Sequence, residues 1–487
     1  MTWRKCLKAA TNSVQRTRAT FLNDGSVVHR RQRGMTQVNP QIFREYDIRG
    51  VVGRDLTPEI VRLLGQAFGT YMVEKGFKDL SVARDCRLSS DEFRDALVEG
   101  ILSTGCDVTD IGVCPTPVYY FSLFHLNKEG GMMITASHNP ADFNGFKVSV
   151  GNQTIFGEEL QNLRCRLERG GFARGQGKLS AYEIVKPYLE CIQTDISIGR
   201  PIKVAIDGGN GTAGPIATTL LRNLGCEVLE LYCDMDGRFP NHHPDPTVPE
   251  LLRDLNDTVL REKAEIGLAY DGDGDRLGVV DQQGEIIWGD RLLILFARDI
   301  LKTHPGATVI SEVKASQSLY DDIARHGGKP LMWKTGHSLI KKKMKETKAL
   351  VAGEMSGHLF FADRYFGYDD AIYASCRLLE ILAKHEKGIS ELIADVPKTK
   401  TTPEIRVSCP DEKKFQIVEK VRNHFSKNRE VIDIDGARIL FEDGWGLVRA
   451  SNTGPVLVLR FEAKDSKSLQ RIQKEVEAKV NEFLADT

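Results

Sequence analysis

The sequence of 487 residues predicts an α/β fold, with three related α/β domains followed by a smaller α+β domain. Two observations carry this prediction. A strand–helix–strand pattern occurs three times along the chain, and a different pattern of short strands and one long helix begins near residue 401. A strand, a crossover helix and a second strand form a parallel or mixed sheet that is covered by helices.

Each copy of the pattern begins with a β-branched strand that ends in an acidic residue, at Asp85, Asp207 or Glu312. A polar loop and an amphipathic helix follow, and a glycine then ends the helix before another strand. The three glycines are Gly105, Gly225 and Gly327. The copies are about one domain length apart, which predicts three related domains and not a short-period repeat.

The C-terminal region has its own pattern. Apolar residues at helical spacing predict that a final helix buries one face. These residues are Leu469, Ile472, Val476, Val480 and Phe483. The strand candidates "RILFEDG", "GLVRAS" and "PVLVLRFEA" precede that helix. We therefore divide the chain into a basic extension at 1–36 and four domains at 37–182, 183–285, 286–400 and 401–487.

The composition, with 41% hydrophobic and 27% charged residues, is that of an ordinary soluble protein. The longest apolar run, Leu292 to Ala297, is far too short to span a membrane. The ten cysteines include no C-x-x-C pair, so neither a zinc site nor a disulfide framework is predicted. We expect a cytoplasmic protein without a membrane partner.

The first 34 residues contain eight Lys or Arg and one acidic residue, Asp24, whereas the rest of the chain has a net charge of −8. This segment lacks the apolar stretch of a secretory signal. It also lacks the aromatic and zinc patterns of nucleic-acid binders, so we predict no nucleic-acid partner. Because Met35 offers an alternative start, we interpret the segment as a disordered extension or a misassigned start.

The stretch "MMITASHNPADFNGFKV" contains a candidate nucleophile. Residues 132–134 predict a buried strand that Pro140 cannot continue, and Asn144-Gly145 predicts the turn into a second strand. Ser137 then lies in a polar loop at the end of the first strand, and Lys147 lies on the second. This position suits a nucleophile, although an ordinary loop serine has the same pattern.

The stretch "YDGDGDRLGVV" places Asp271, Asp273 and Asp275 in a Gly-rich loop between two apolar strands. Three such carboxylates repel one another unless a hard cation lies among them. An EF-hand is excluded, because Arg276 occupies the position of its required glycine. We interpret the loop as a site for one Mg²⁺ ion with open positions for a phosphate. A solvated acidic turn is the alternative.

Two further loops offer polar groups for a sugar. The stretch "AGEMSGHLF" carries Glu354, Ser356 and His358, and their side chains can hydrogen-bond sugar hydroxyls. The stretch "WKTGHSLIKKK" carries His337 ahead of a lysine run, which is more typical of a solvated face. Taken alone, the first string is also compatible with an ordinary loop.

The stretch "VRASNTGP" predicts a cradle for a phosphate. A guanidinium, hydroxyls and backbone N–H groups together bind a phosphate dianion well. The side chains concerned are those of Arg449, Ser451, Asn452 and Thr453. A plain hairpin turn is the alternative. The stretch "DGGNGTAG" at residues 207–214 lacks the Lys-Ser/Thr of a P-loop, and we interpret it as a structural turn.

Four motifs occur together, in the order "TASHNP", "DGDGDR", "GEMSGH" and "RASNTGP". In this combination the chain resembles the α-D-phosphohexomutases over residues 41–483. The strings "EYDIRG" and "WKTGHSLIKKKMKE" make it most similar to the bacterial members that act on both mannose and glucose phosphates. The resemblance implies four domains around a central cleft.

The resemblance also implies roles for individual residues. Ser137 carries the transferable phosphoryl group and completes the Mg²⁺ site formed by the three aspartates. Lys147 and Arg276 supply positive charge, while His138 contacts the phosphate or moves a proton. The residues expected to contact the substrate are Tyr46, Arg49, Lys314, Gly336, His337, Glu354, Ser356, His358, Arg449, Ser451, Asn452 and Thr453. The identity of the general base is left open.

The implied activity is the interconversion of hexose 1-phosphate and 6-phosphate, for mannose and glucose, through a phosphoserine and a bound hexose 1,6-bisphosphate. A phosphoglucosamine mutase, a serine-based sugar phosphatase and a non-catalytic sugar-phosphate-binding protein are the alternatives. The expected partners are small sugar phosphates, and the expected state is a monomer or a weak dimer.

Overall fold

The computed structural model describes residues 38–452 and 454–485, which form four sheets. The basic extension that we predicted at 1–36 lies outside the described residues. A short 3-10 helix at Pro40–Ile42 precedes the first sheet. The domain boundaries at 182, 285 and 400 stay predictions. Residues 286 and 287, which follow the predicted boundary at 285, form a short strand that pairs within the second sheet.

The first sheet has the order β1-β5-β4-β2-β3-β7, with β6 beside β5. Its strands are β1 (Ile48–Val51), β2 (Asp79–Arg84), β3 (Asp107–Val113), β4 (Gly130–Ile134), β5 (Phe143–Val150), β6 (Gln153–Thr154) and β7 (Leu179–Ala181). Its helices are α1 (Pro58–Glu74), α2 (Ser90–Leu102), α3 (Thr116–His125) and α4 (Glu158–Arg169).

The second sheet has the order β12-β11-β10-β8-β9. Its strands are β8 (Lys203–Asp207), β9 (Glu227–Leu231), β10 (Ile266–Tyr270), β11 (Leu277–Asp281) and β12 (Ile286–Ile287). Its helices are α5 (Val185–Asp195), α6 (Ala213–Asn223) and α7 (Arg253–Glu262), and a 3-10 turn at Pro249–Leu252 precedes the last of them.

The third sheet has the order β14-β13-β15-β16. Its strands are β13 (Thr308–Glu312), β14 (Lys329–Trp333), β15 (Val351–Gly353) and β16 (Leu359–Phe361). Its helices are α8 (Gly289–Thr303), α9 (Gln317–Arg325), α10 (His337–Thr347), α11 (Ala371–Ala383) and α12 (Ile389–Leu392).

The fourth sheet is antiparallel, in the order β17-β22-β21-β20-β19 with β18 also on β22. Its strands are β17 (Lys400–Thr401), β18 (Ile405–Ser408), β19 (Val431–Ile432), β20 (Ala437–Phe441), β21 (Gly444–Ala450) and β22 (Val456–Ala463). Its helices are α13 (Asp411–Phe425) and α14 (Ser466–Ala485). Three residues of the predicted apolar face of α14 are buried, namely Ile472, Val476 and Val480.

The first three sheets share one four-strand arrangement, which confirms the prediction of three related α/β domains. In β3-β2-β4-β5 two parallel junctions are followed by an antiparallel one. The same order of junctions occurs in β9-β8-β10-β11 and in β14-β13-β15-β16. The loops β4–β5, β10–β11 and β15–β16 are therefore equivalent, and they carry "TASHNP", "DGDGDR" and "GEMSGH".

The acidic residue at the end of each first strand folds the loop that follows it. Asp85, Asp207 and Glu312 each accept a hydrogen bond from the backbone N–H two residues later, at 3.0, 2.9 and 2.9 Å. An acidic side chain at a strand end stabilises a turn in this way. The shared acid is thus a structural feature of the repeat.

The turn predicted at Asn144-Gly145 is wrong, because both residues lie inside β5. They pair with β1 on the far edge of β5, Arg49 lying opposite Gly145. The chain reverses earlier, and the N–H of Asn139 donates to the carbonyl of Ala136 at 3.0 Å. A Cβ at position 145 would lie 2.2 Å from the carbonyl of Ile48, so glycine is required there by close strand packing.

Apolar side chains form one core under the first sheet and another within the fourth domain. A larger core runs from α3 through the second sheet to α8 and α11. The helices in the described part of the chain cover these cores, and none of them has the length and apolar character needed to cross a bilayer.

Candidate active site

Ser137 follows β4 in a left-handed backbone conformation, with φ of 52°. Few residues other than glycine adopt this conformation. The Ser137 N–H donates to Thr135 Oγ1 at 2.9 Å, and the residue is 1% exposed. Its hydroxyl donates to Asp271 Oδ2 at 2.8 Å, and Oγ also lies 2.9 Å from His138 Nδ1. The turn therefore presents the hydroxyl to the acidic loop of the second domain.

The three aspartates of the β10–β11 loop are fully buried, and their ligand oxygens lie within 4.8 Å of one another. Oδ1 of Asp273 and Oδ1 of Asp275 have no hydrogen-bond partner among the described residues. Burial and the neighbouring carboxylates raise the pKa of Asp271 and of Asp273. Buried carboxylate oxygens without donors fit a hard divalent cation, so this group can hold a metal ion.

Backbone contacts fix the shape of the acidic loop. Asp271 Oδ1 accepts hydrogen bonds from the N–H groups of Asp275 and Arg276, at 3.0 and 3.1 Å. The carbonyl of Gly272 accepts a hydrogen bond from the N–H of Thr212 at 3.1 Å, so the "DGGNGTAG" turn helps to hold the backbone of the acidic loop in place. Ser137 lies in the loop between β4 and β5, residues 135–142, which we call the serine loop. A Cβ at position 272 would lie 2.5 Å from the carbonyl of Ser137, so only glycine allows the acidic loop to pack this closely against the serine loop.

Two cations lie next to the acidic loop. Lys147 Nζ donates to Asp275 Oδ2 at 2.9 Å and lies 3.8 Å from Asp273 Oδ2. Burial alone lowers the pKa of Lys147, but these two carboxylates raise it well above its ordinary value. Lys147 is therefore an ammonium ion at neutral pH. The second cation is Arg276, whose Nε–H donates to His358 Nε2 at 3.0 Å.

His138 and His337 both remain uncharged at neutral pH. Burial lowers the pKa of His138 well below its ordinary value, and the positive charges of Arg276 and Arg49 lower it further. Burial and Lys147 act in the same way on His337. A neutral imidazole beside Ser137 can accept a proton.

Asp369 lies against two predicted site residues, His358 and His337, although sequence reasoning missed it. Its Oδ2 lies 3.0 Å from His358 Nδ1 and 3.6 Å from His337 Nδ1, and the residue is fully buried. Lys341 Nζ donates to Asp369 Oδ1 at 3.0 Å and lies 3.9 Å from the centre of the Tyr120 ring. The lysine run is thus not simply a solvated face, because its first member turns inward.

Glu354 and Gly336 meet at the start of α10. Glu354 Oε1 accepts the Gly336 N–H at 2.6 Å, and burial raises the pKa of this carboxyl. A Cβ on Gly336 would lie 2.4 Å from the Tyr46 ring, so only glycine allows this approach. Tyr46 Oη donates to the Thr335 carbonyl and accepts from Asn452 Nδ2, both at 2.6 Å. Tyr46 therefore joins the first, third and fourth domains.

The "RASNTGP" turn lies between β21 and β22. Arg449 Nε donates to Asp435 Oδ2 at 3.0 Å, and the buried Arg449 Nη2 lies 3.0 Å from the same oxygen in an ion pair. Lys414 Nζ donates to the carbonyls of Ser451 and Gly454 at 2.5 and 3.2 Å and so holds the turn. Thr453 lies outside the described residues.

Three further predicted residues are Arg49, Lys314 and Ser356. Arg49 Nη1 donates to Asn139 Oδ1 at 2.6 Å, next to the serine loop. Lys314 Nζ lies 3.2 Å from Glu404 Oε2, in an ion pair that sequence reasoning missed. Ser356 is half-buried in the β15–β16 loop. The structure thus joins Ser137 directly to the acidic loop, whereas Lys314 and Arg449 pair with carboxylates of the fourth domain.

Comparison with known families assigns most of the described region to one family. Residues 40–172, 186–284 and 288–399 match the α/β/α domains I, II and III of phosphoglucomutase/phosphomannomutase. Residues 404–479 match the C-terminal domain of the same family. The four matches follow the four sheets in order.

Individual relatives agree with these matches. The chain is 49% identical to phosphomannomutase/phosphoglucomutase of Pseudomonas aeruginosa over 433 residues, which cover 89% of this chain and 94% of that protein. It is 46% identical to a phosphoglucomutase of Neisseria gonorrhoeae, over 91% of this chain and 97% of the relative. The crystal structure of a Burkholderia thailandensis phosphoglucomutase/phosphomannomutase family protein superposes with a TM-score of 0.87 at 44% identity, covering 92% of this chain and 98% of that one.

Proposed function

Because this chain belongs to the phosphoglucomutase/phosphomannomutase family, we propose that it interconverts the 1-phosphates and 6-phosphates of mannose and glucose. The observation that carries this proposal is the contact between Ser137 Oγ and Asp271 Oδ2, at 2.8 Å. It brings a candidate nucleophile to the edge of a cluster of three buried aspartates that can hold a metal ion. Phosphoryl transfer depends mainly on positioning and on stabilising charge, and this site supplies both.

In the proposed cycle, phosphorylated Ser137 gives its phosphoryl group to the free hydroxyl of a bound hexose phosphate. The Oγ–P bond breaks as the bond from phosphorus to the sugar oxygen forms, and the product is a hexose 1,6-bisphosphate. This intermediate turns over within the cleft. Its other phosphoryl group then returns to Ser137, so the serine is phosphorylated again when the isomerised sugar leaves.

Charged and neutral groups around Ser137 have separate roles in this proposal. Lys147 supplies positive charge to the transferred group from its place 2.9 Å from Asp275, and Arg276, whose Nε–H donates to His358, supplies a second positive charge. His138 is neutral and 2.9 Å from Oγ, which suits it to hold the proton that leaves or returns to the serine.

We propose Mg²⁺ as the metal ion, held by Asp271, Asp273, Asp275 and a phosphate oxygen on Ser137. The free oxygens on Asp273 and Asp275 and the absence of sulfur and nitrogen ligands in the triad favour a hard cation. When bound, the ion supplies positive charge beside the phosphoryl oxygens. The residues themselves fix its place through the backbone contacts of the loop.

Substrate recognition is divided between two regions in this proposal. Glu354, Ser356 and His358 contact the sugar hydroxyls, and the "RASNTGP" turn holds the phosphate that is not reacting. Arg449 is buried and paired with Asp435, and its guanidinium can also donate to a phosphate oxygen. The remaining residues proposed to line the cleft are Tyr46, Arg49, Lys314, Gly336, His337, Ser451, Asn452 and Thr453.

An assay with mannose, glucose and glucosamine 1-phosphates tests the proposed function. We expect isomerised mannose and glucose phosphates without release of inorganic phosphate, because a mutase must exclude water from its cleft. A preference for the glucosamine compound would indicate a phosphoglucosamine mutase. Release of inorganic phosphate would indicate a phosphatase, and binding without turnover would indicate a non-catalytic protein.

The proposal also concerns the setting in which the enzyme works. Small sugar phosphates are its partners, and we propose a cytoplasmic monomer or weak dimer without a nucleic-acid or membrane partner. The ten cysteines without paired spacing support a reducing compartment. Size-exclusion chromatography with light scattering measures the oligomeric state directly.

A further inference from the structure

A buried arginine lies directly beneath the serine loop. The Arg87 side chain has 0% exposure. Its Nη1 donates to the carbonyls of Pro140 and Phe143, at 2.6 and 3.0 Å. Its Nη2 donates to the carbonyls of Ser137 and Asn139, at 2.8 and 2.6 Å. One guanidinium thus holds four backbone carbonyls of the segment that carries the nucleophile.

The same guanidinium is itself anchored. Arg87 Nε donates to Asp85 Oδ2 at 3.1 Å, and Asp85 Oδ1 accepts the Ser90 hydroxyl at 2.6 Å. The guanidinium carbon lies 5.1 Å from the centre of the Phe239 ring, which belongs to the second domain. All five N–H donors of the guanidinium therefore have an acceptor. A lysine has three donors and no planar fork, so it cannot reproduce this set.

Ser137 needs such support, because its φ of 52° is unfavourable for a residue with a side chain. Residues stay in this region only where the surrounding structure fixes them. Arg87 binds the carbonyl of Ser137 itself and those of three residues that follow it, up to the first residue of β5. Relaxing the serine to an ordinary conformation would rotate that carbonyl away from Nη2 and would move Oγ away from Asp271.

We propose that Arg87 is a positioning residue for phosphoryl transfer: it holds the Ser137 loop in the conformation that aims Oγ at Asp271. Arg87 acts through the loop, since its donors are all directed at carbonyls and at Asp85 and not at the cleft. This inference rests on the proposed function, in which Ser137 carries the phosphoryl group.

The variants R87K and R87A test the inference, and R377K and R377A are the matched controls. Arg377 is also buried, with 2% side-chain exposure, but it pairs with Asp363 in the core and not with the serine loop. Each protein is phosphorylated with glucose 1,6-bisphosphate, and kcat and KM are measured for glucose 1-phosphate. For R87K we expect kcat to fall about 100-fold, the usual effect of a misplaced reacting group, with little change in KM. R377K should keep the kcat of the unmodified protein.

Chemical rescue separates positioning from general stability. Guanidinium ion, added well below the molar concentrations that unfold proteins, should restore much of the kcat of R87A and should not affect R377A. A folded R87A that gains nothing from guanidinium would overturn the inference. So would an R87K variant with the unmodified kcat, one whose loss lies only in KM, or one that does not fold. If R87A does not fold, R87K decides alone by these criteria.

The variant S137A distinguishes the failure of this inference from the failure of the proposed function. If S137A turns over normally, the proposed function is wrong and Arg87 has no nucleophile to position. If S137A is inactive while R87K is fully active, the proposed function stands and only the role of Arg87 is wrong.

Discussion

Ser137 Oγ and Asp271 Oδ2 lie 2.8 Å apart, although 134 residues separate them in the chain. Each residue lies in the loop between the third and fourth strands of the four-strand arrangement that the two domains share. Because the two domains repeat the same strand order, one loop type has provided both the candidate nucleophile and the candidate metal ligands. The chemistry of the site therefore depends on how the repeated domains face each other.

The three buried aspartates of the β10–β11 loop should control the response to metal. D273N removes one charged ligand, so it should raise the Mg²⁺ concentration needed for half-maximal activity and leave the fold intact. Chelation should abolish transfer in the unmodified protein. D281N is the matched control, because Asp281 is equally buried but bonds to Ser390 and to backbone N–H groups. Equal metal dependence in D273N and D281N would show that the triad does not bind the ion.

The "RASNTGP" turn between β21 and β22 should act on phosphate alone. A bidentate arginine–phosphate contact is worth about 1.5–3 kcal/mol. R449A should therefore weaken the binding of glucose 1-phosphate and mannose 1-phosphate by a similar factor, about tenfold or more. Isothermal titration calorimetry with each sugar phosphate measures the factor by which R449A weakens its binding. A change in sugar preference in R449A would contradict the assignment of this turn.

Glu354 should act on the sugar and not on its phosphate. E354Q keeps the acceptor for the Gly336 N–H, which lies 2.6 Å from Oε1 in the unmodified protein, but it removes the charge offered to sugar hydroxyls. We expect weaker binding of both hexose phosphates and nearly unchanged inhibition by inorganic phosphate. The opposite pattern, in which phosphate inhibition weakens and sugar binding does not, would exclude this role.

Asp370 should make stability depend on pH. Burial raises its pKa from 3.8 to about 6, although hydrogen bonds from Tyr188 and Tyr365 favour its ionised form. Its contribution to stability is therefore complete below about pH 4 and is lost as the pH rises through about 6. The difference in unfolding free energy between the unmodified protein and D370N should fall by about 2.5 kcal/mol between pH 4 and pH 8. Urea unfolding at both pH values measures it, and a constant difference would contradict the prediction.

Much of the fold could be predicted because the repeat is visible in the sequence. Strands ending in Asp85, Asp207 and Glu312 are followed by helices ending at glycine, and the structure has the predicted parallel pairs at all three places. Local pattern was misleading at Asn144-Gly145, where pairing with β1 overrides the turn preference of the dipeptide. Strand partners that are distant in sequence cannot be predicted from a local string.

The site was predicted where chemistry and spacing coincide within one loop, as in the three aspartates. The residues that support those loops were missed, because their partners are far away in the chain. Asp369 meets His358 and His337 only through the third domain's fold, and Arg87 meets the serine loop across 50 residues. One signal was present for Arg87, since it follows the acidic strand end of the first repeat by two positions, as Lys314 follows that of the third.

Labelling with radioactive phosphorus shows directly whether Ser137 carries the phosphoryl group. The protein is incubated with glucose 1,6-bisphosphate labelled with radioactive phosphorus, and the labelled peptide is identified by mass spectrometry. Unlabelled mannose 1-phosphate is then added. We predict one label, on Ser137, that passes to the sugar in a single turnover, and no label in S137A. A label on another residue, or normal turnover by S137A, would exclude phosphoryl transfer through Ser137.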